Sequence, residues 1–384
     1  MKIALLDPSL FTWPYDKALV EGLQQNGHEV VLYTKHLAPA EPGAGHDYVR
    51  ELFYPGLQSA VARRLPSTLF LLAKGLAHIG GLMSLWLKLR REKPNAIHFQ
   101  WTPLPVVDRW FVPLFRTIAP VILTVHDSSP FNNNPKSRLQ AFGSISIMRR
   151  FDHLIVHTDA ARRTLIRYGL AADRISRIDH GVLGQCVPTG LVPLQEKKAD
   201  DAVVVLLFGQ IKPYKGVDVL IRALQYLPDD VRSIIRVHIV GRPQMDVDPL
   251  MALARTSGVE DLIKWDLRFV GEEEIPGILA ASDITAMPYR EIDASGVLMM
   301  ALSTGRPIVA SNIGLFAEML VDGEHGFLVP QEDAPALGHA LTRLVRSPAT
   351  RTAMANNLRA LSASIPDWRD IAEATSDVYL RIRP

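Results

Sequence analysis

Cysteine is almost missing from this 384-residue chain, where Cys186 is the one thiol. A single cysteine builds no disulfide framework and fits a reducing compartment. Cysteines and histidines clustered at metal-ligand spacing are missing too, so no metal is expected. Neither charge sign is in excess, with 42 Lys and Arg against 40 Asp and Glu, and this argues against a nucleic-acid partner. The opening MKIALLDPSL lacks the cleavage site of a signal peptide. A cytoplasmic protein is the expectation.

The charge balance hides an asymmetry. Residues 1–185 hold 22 basic against 14 acidic side chains, and the remainder holds 20 against 26. A basic first half suits an anionic partner, a phospholipid surface or a phosphate-bearing acceptor, although an ordinary soluble surface also carries such an excess. Residues 68–87, TLFLLAKGLAHIGGLMSLWL, form an apolar run of about spanning length, interrupted by Lys74, His78 and three glycines. A lysine at the bilayer centre costs about 3 kcal/mol. The expectation is a buried core helix, with a helix lying on a membrane surface as the alternative.

The length exceeds one comfortable core, so two domains are expected. Apolar strands are read at Ile3–Leu6, Glu29–Thr34, Ala96–Phe99, Val121–Val125 and Leu154–His157, with helical stretches between them. The design restarts at Val203–Phe208 and continues through Arg236–Val240, Ile284–Met287 and Ile308–Ala310. The fold class is therefore α/β, as two Rossmann-like doubly wound parallel-sheet domains. Boundaries are read as 1–185, a polar, proline-bearing linker at 186–201, 202–365, and a C-terminal helix at 366–384 packing back toward the first domain. Ligands of such sheets bind outside the carboxyl ends of the strands, here in a cleft between facing domains.

Two strand-to-helix turns suit a diphosphate. GQIKPYKG, residues 209–216, sets Lys212 and Lys215 between two glycines at a helix start, where backbone N–H groups and the helix dipole already favour anions. In PYREIDASGVLMMALSTG an acidic loop leads to Ser295, a candidate N-cap, and then to Gly296 and Val297 at the first helical turn.

Ordered along the chain, FGQIKPYKGVDVLIRAL, IVGRP, FVGEEEIPGILAASDITAMPY, SGVLMMALSTGRPIVASNIGLFAEML and VDGEHGFLVP resemble the C-terminal signature of the retaining GT-B glycosyltransferases of family 4, the group 1 type. GLQQNGHEVVLYT, VILTVHD, FDHLIVHTDAARRTLIRYG and RISRIDHGV resemble its N-terminal half more loosely. The resemblance implies transfer of a sugar, with retention of configuration and without a metal or other cofactor, from a UDP- or GDP-sugar held by the second half to a glycan or lipid-linked saccharide. An inner-membrane-face location would follow from a lipid-linked acceptor.

By that resemblance Lys215 grips the donor diphosphate, Gly209 opens its motif, Glu318 matches the glutamate after the GRPIVAS strand, and His126 lies near the reacting sugar. Gln210 stands where the family has arginine, and Lys212 is the substitute within reach. The family's paired glutamates fall at Ile292 and Met300, so Glu291 or Asp293 is left for the sugar and the ribose carboxylate is absent from its place. On the acceptor side, loops after strands offer Ser9, Trp13, Tyr15 and Asp16, and His98, Gln100, Trp101 and Asp108. A silent nucleotide-sugar-binding protein and a sugar-nucleotide epimerase of the same fold stay open as alternatives.

Overall fold

The structure, a computed structural model, describes residues 1–39, 41–57, 64, 66–128, 143–183 and 202–382. Cys186, the 186–201 connection and most of the polar loop after Asp127 lie outside the described residues. Two compact units are present, Met1–Gly181 with Pro366–Pro384, and Val182–Ile365.

The first unit runs β1 (Lys2–Asp7), α1 (Trp13–Gln25), β2 (Glu29–Lys35), β3 (Val49–Phe53), α2 (Ser67–Glu92), β4 (Ala96–Phe99), α3 (Pro105–Arg116), β5 (Val121–Thr124), α4 (Ser144–Met148), β6 (His153–Val156), α5 (Asp159–Arg167) and β7 (Ile175–Arg177). Its strands pair in parallel in the order β3-β2-β1-β4-β5-β6-β7. All four residues of β4, β5 and β6 are buried, as expected where helices cover both faces. The chain steps one way along the sheet through α1 and the other way through α2 and α3, and right-handed crossovers therefore put α1 on the face opposite α2 and α3.

The second unit runs β8 (Val203–Phe208), α6 (Val217–Ala223), α7 (Asp229–Ile234), β9 (Ile235–Val240), α8 (Asp248–Thr256), β10 (Ile263–Asp266), α9 (Ile275–Ala280), β11 (Ile284–Met287), α10 (Gly296–Thr304), β12 (Ile308–Ser311), α11 (Gly314–Met319), β13 (Gly326–Val329), α12 (Ala334–Arg346) and α13 (Pro348–Ser364). Its parallel order is β10-β9-β8-β11-β12-β13. The core packs β8, β9 and β11 under α6 and α12. Each large aliphatic side chain buried there contributes about 1.5–3 kcal/mol.

The last helix, α14 (Trp368–Arg381), belongs to the first unit. Gly22 on α1 admits it, since a Cβ at that position would lie 2.2 Å from the Trp368 carbonyl oxygen. Tyr379 reaches the sheet and its hydroxyl meets His98 Nδ1 at 2.6 Å.

The core-helix expectation for residues 68–87 needs correction. The run is one helix, α2, but only a stripe through His78, Leu82, Leu85 and Leu89 is buried. Ala77 and Trp86 pack partly against the core, and Leu69, Leu71, Leu72, Leu76, Ile79, Met83 and Leu87 are exposed.

Candidate functional site

In the second unit the strand order reverses between β8 and β11, which opens a crevice outside their carboxyl ends. The loops that meet there are Gly209–Gly216 and Pro288–Ser295. Arg290 clamps them together. Its N–H donates to the Tyr214 carbonyl at 2.7 Å, and its guanidinium donates to both Asp218 oxygens at 2.9 and 2.8 Å and to the Pro213 carbonyl at 2.8 Å. Burial would push the Asp218 carboxyl up, yet hydrogen bonds from Arg290 and Arg222 outweigh it and hold its pKa down. The loops also touch through backbone. Gly216 has φ +66°, and a Cβ there would lie 1.9 Å from the Pro288 carbonyl oxygen.

Lys215 sits inside this clamp. Its Nζ donates to the Phe208 carbonyl at 3.0 Å and to the Tyr289 hydroxyl at 2.7 Å, above the Tyr289 ring at 4.7 Å. Burial, and then repulsion from Lys212, lowers its pKa to about 7. An amine stripped of water and facing two neutral oxygens is held ready for a counter-charge, and none is paired with it among the described residues.

Gly209, at φ +102°, makes the room: a Cβ would lie 2.9 Å from Lys215 Nζ and 3.2 Å from Val297 Cγ2. Gly209→Ala is therefore expected to destabilise the second unit by about 1–3 kcal/mol and to weaken UDP or GDP binding by displacing the amine. Thermal melts and nucleotide titration read both effects, and wild-type values in both would contradict this placement.

Ser295 caps α10, its Oγ accepting from Leu298 N–H at 3.1 Å. The cap leaves the N–H groups of Gly296 and Val297 among the orphans of the first turn. Ile292, the position aligned with the family's first glutamate, is buried, while Glu291 and Asp293 on either side of it are half-buried. Gly314, at φ +47°, pins this loop, since a Cβ there would lie 1.8 Å from the Ile292 carbonyl oxygen. Met300 packs among Leu206, Phe208, Val240, Leu279 and Val297, so the place of the second glutamate is an apolar surface. Lys212 is half-buried with its Nζ 5.9 Å from the centre of the Tyr214 ring, and Gln210 and Glu318 are exposed.

In the first unit the order reverses between β1 and β4. His126 follows β5, and its Nε2 meets Gln100 Oε1 at 3.1 Å. Gln100 Nε2 is buried with no hydrogen-bond partner among the described residues. Both side chains line a concavity with Trp101, Thr102, Asp127 and Ser144. Burial, followed by neighbouring histidines, pushes the His126 pKa well below its ordinary value. Sequence reading missed two of those neighbours, His157 and His180, which stand after β6 and β7 against Tyr15. The signal was available for His157, because FDHLIVHT ends an apolar strand in histidine, while His180 follows the short polar edge strand β7 and had no such mark.

Trp13, Tyr15 and Asp16 correct the acceptor-side expectation, for all three are buried. Trp13 packs on His46 and against Gly43. Thr12 Oγ1 donates at 3.2 Å to Asp7 or Asp16, whose carboxyls are driven up by burial, Asp16 further by the Asp7 charge. Asp108 is also interior, accepting from His78 Nε2 at 2.6 Å, and His78 Nδ1 meets the Tyr54 hydroxyl at 3.0 Å. Tyr54, His78 and Asp108 thus form a buried relay that the sequence did not reveal.

Among the described residues no group of three or more His, Cys, Asp or Glu side chains is placed to hold a metal ion. An Asp-x-Asp triplet, Asp246–Asp248, is local turn structure, with Asp246 Oδ1 accepting from Asp248 N–H at 3.1 Å.

A family model for "Glycosyl transferases group 1" matches residues 202–347, and one for "Glycosyltransferase Family 4" matches residues 17–182. The chain belongs to the family 4, group 1 glycosyltransferases. Among relatives of this family member, the D-inositol 3-phosphate glycosyltransferase of Streptomyces scabiei is 26% identical over 386 residues, 95% of this chain and 85% of that protein. The same-named proteins of Saccharomonospora viridis and a Nocardioides species are 28% and 29% identical, and the matches span 65% and 64% of their lengths, just under two thirds. Among solved structures, Anabaena HepE in complex with UDP and glucose superimposes with TM-score 0.76 at 19% identity over 99% of this chain and all of that one. The sucrose-phosphate synthase of Thermosynechococcus elongatus gives 0.79 at 18% identity over 100% of this chain and 99% of that one. The fold is GT-B, two parallel-sheet α/β domains.

Proposed function

We propose that this protein transfers a sugar from a nucleoside-diphosphate sugar to an acceptor, with retention of configuration and without a metal. The reading rests on the buried Lys215 amine in the clamp of the second unit. As the bond from the sugar to the diphosphate breaks, negative charge grows on the departing phosphate. Lys215, together with the amides of Gly296 and Val297, stabilises that charge and takes the part a metal plays elsewhere. Lys212 adds a second, more accessible charge. Glu291 or Asp293 holds donor hydroxyls, and Glu318 completes the donor side.

His126 acts on the acceptor side as a neutral imidazole. Its Nε2–H donates to Gln100 Oε1, which turns the Gln100 amide group toward a substrate oxygen. UDP-sugars are favoured as donors by the UDP and UDP-glucose bound in HepE, with GDP-sugars second. The acceptor is read as a phosphate-bearing sugar, glycan or lipid-linked saccharide, met at the cytoplasmic face of a membrane. Met300 motivates a second reading, a nucleotide-sugar binder without turnover, because the ribose loses its carboxylate partner there.

Incubating the protein with UDP- and GDP-sugars and a panel of such acceptors, with NMR of the anomeric proton, separates these readings. Product of unchanged configuration, formed in the presence of a chelator, is expected. Inverted product removes the retaining assignment. Tight nucleotide binding with no product from any pair would favour the silent binder.

A further inference from the structure

We infer that the outer face of α2, with Trp110 and Leu114 of α3, docks the protein onto an anionic lipid bilayer. On α2 the side chains of Leu69, Leu72, Leu76, Ile79, Met83 and Leu87 recur at three- and four-residue intervals, so they line one face over about 27 Å. All six are exposed, Leu76 to 70% and Leu72 to 64%. A second stripe on the same helix, His78, Leu82, Leu85 and Leu89, is buried in the first unit's core. The helix therefore has two apolar faces, and the fold uses one of them.

Length and composition would let α2 cross a membrane, yet 22% of its most apolar window is buried. Its inner stripe, with Gly81 against the Phe53 ring and the His78–Asp108 contact, ties it to β3 and α3. Withdrawing it would dismantle the core, so the helix lies on a bilayer and does not span one. The neighbouring α3 packs against α2 on the same side of the sheet and shows Trp110, 67% exposed, and Leu114. Arg109 covers the exposed Trp110 ring at 5.0 Å, while Arg90 lies 4.8 Å from the ring of Trp86, which packs partly against the core. Indole beside guanidinium suits the boundary between acyl chains and headgroups.

Charge selects the occupant. Residues 54–116 carry nine Lys and Arg against two acidic residues. Of those two, Glu92 is taken up by Tyr33 and Lys88, and Asp108 is buried. Two copies of this chain meeting on the surface would bring Arg90, Arg91 and Arg109 together, with both acidic residues of that segment already engaged or buried. An anionic bilayer supplies both the apolar phase and the counter-charge.

The test is vesicle flotation of the full chain, which reads lipid binding without turnover and so stands apart from the proposed activity. Binding is expected to phosphatidylglycerol–phosphatidylcholine vesicles at low salt, weaker at high salt, and weaker again to pure phosphatidylcholine. Leu72→Glu/Leu76→Glu alters exposed positions only and is expected to lower partitioning about tenfold or more. Arg90→Gln/Arg91→Gln is expected to remove the preference for the anionic lipid. Wild-type protein that stays with the soluble fraction at low salt overturns the proposal, as does a Leu72→Glu/Leu76→Glu variant that floats like wild type. A lipid-free dimer by light scattering that this variant converts to monomer assigns the face to a second copy and likewise overturns it.

Discussion

Lys215→Ala is expected to lower kcat/KM for sugar transfer by a factor on the order of a hundred to a thousand, the loss typical when one donor to a developing oxyanion is removed. The fold should survive. The amine donates to one carbonyl and one hydroxyl, and removing it deletes a costly buried charge along with those bonds. The pH dependence is more telling than the rate. With its pKa at about 7 in the nucleotide-free protein, Lys215 is half-protonated at neutral pH. A bound diphosphate favours the ammonium and raises that pKa. Nucleotide affinity should thus be flat below pH 7 and fall toward tenfold per pH unit above it, with protons taken up on binding. Calorimetry of UDP or GDP in two buffers of different ionisation enthalpy reads the uptake, which Lys215→Ala should abolish. Equal heats in both buffers for wild-type protein would remove Lys215 from the diphosphate site.

Legibility of the fold followed burial. Central strands such as β5 and β8 are covered on both faces and appear in the sequence as unbroken apolar runs, which were read almost to the residue. The four strands that escaped, β3, β7, β10 and β13, are the four sheet edges. VRELF and IKWD carry charges because an edge strand meets solvent, and nothing short of the pairing itself distinguishes them from loops. The expectation for α2 failed for a related reason. Its outer leucines are as apolar as its inner ones, so hydropathy could not tell a covered face from an open one.

The candidate site divides in the same way. The clamp around Lys215 was visible because the GQIKPYKG turn follows a recognisable strand and opens a helix. Its exposed members need no partner to be spotted. Trp13, Tyr15 and Asp16 looked like acceptor contacts because they follow β1, and only the packing of α1 and α14 shows them to be interior. The Tyr54–His78–Asp108 relay joins three separate elements, so no local pattern could announce it.

The interior of the first unit carries the second large effect. His98, His126, His157 and His180 stand at or after four neighbouring strands, all buried. Burial comes first among the causes that hold them neutral, with pKa values driven to about 3 for His98, about 4 for His157 and about 3 for His180, and His126 also well down. The unfolded chain binds protons on these rings near pH 6.5, and the native one does not. Stability is therefore whole above pH 6.5 and is lost as pH falls toward 4, by about 1.4 kcal/mol per pH unit for each ring that stays neutral. Four rings acting together would consume most of a typical domain stability of about 5–15 kcal/mol within two pH units. Asp7 and Asp16 act in the opposite sense, since their raised values let the native state hold protons that the unfolded state releases above pH 3.8, so they offset part of the fall between pH 3.8 and those raised values. Urea melts at pH 7, 6 and 5 should show the loss, and His157→Gln should reduce the slope by close to one proton. A wild-type stability that does not change between pH 7 and 5 would mean that these rings are protonated or hydrated in the native protein.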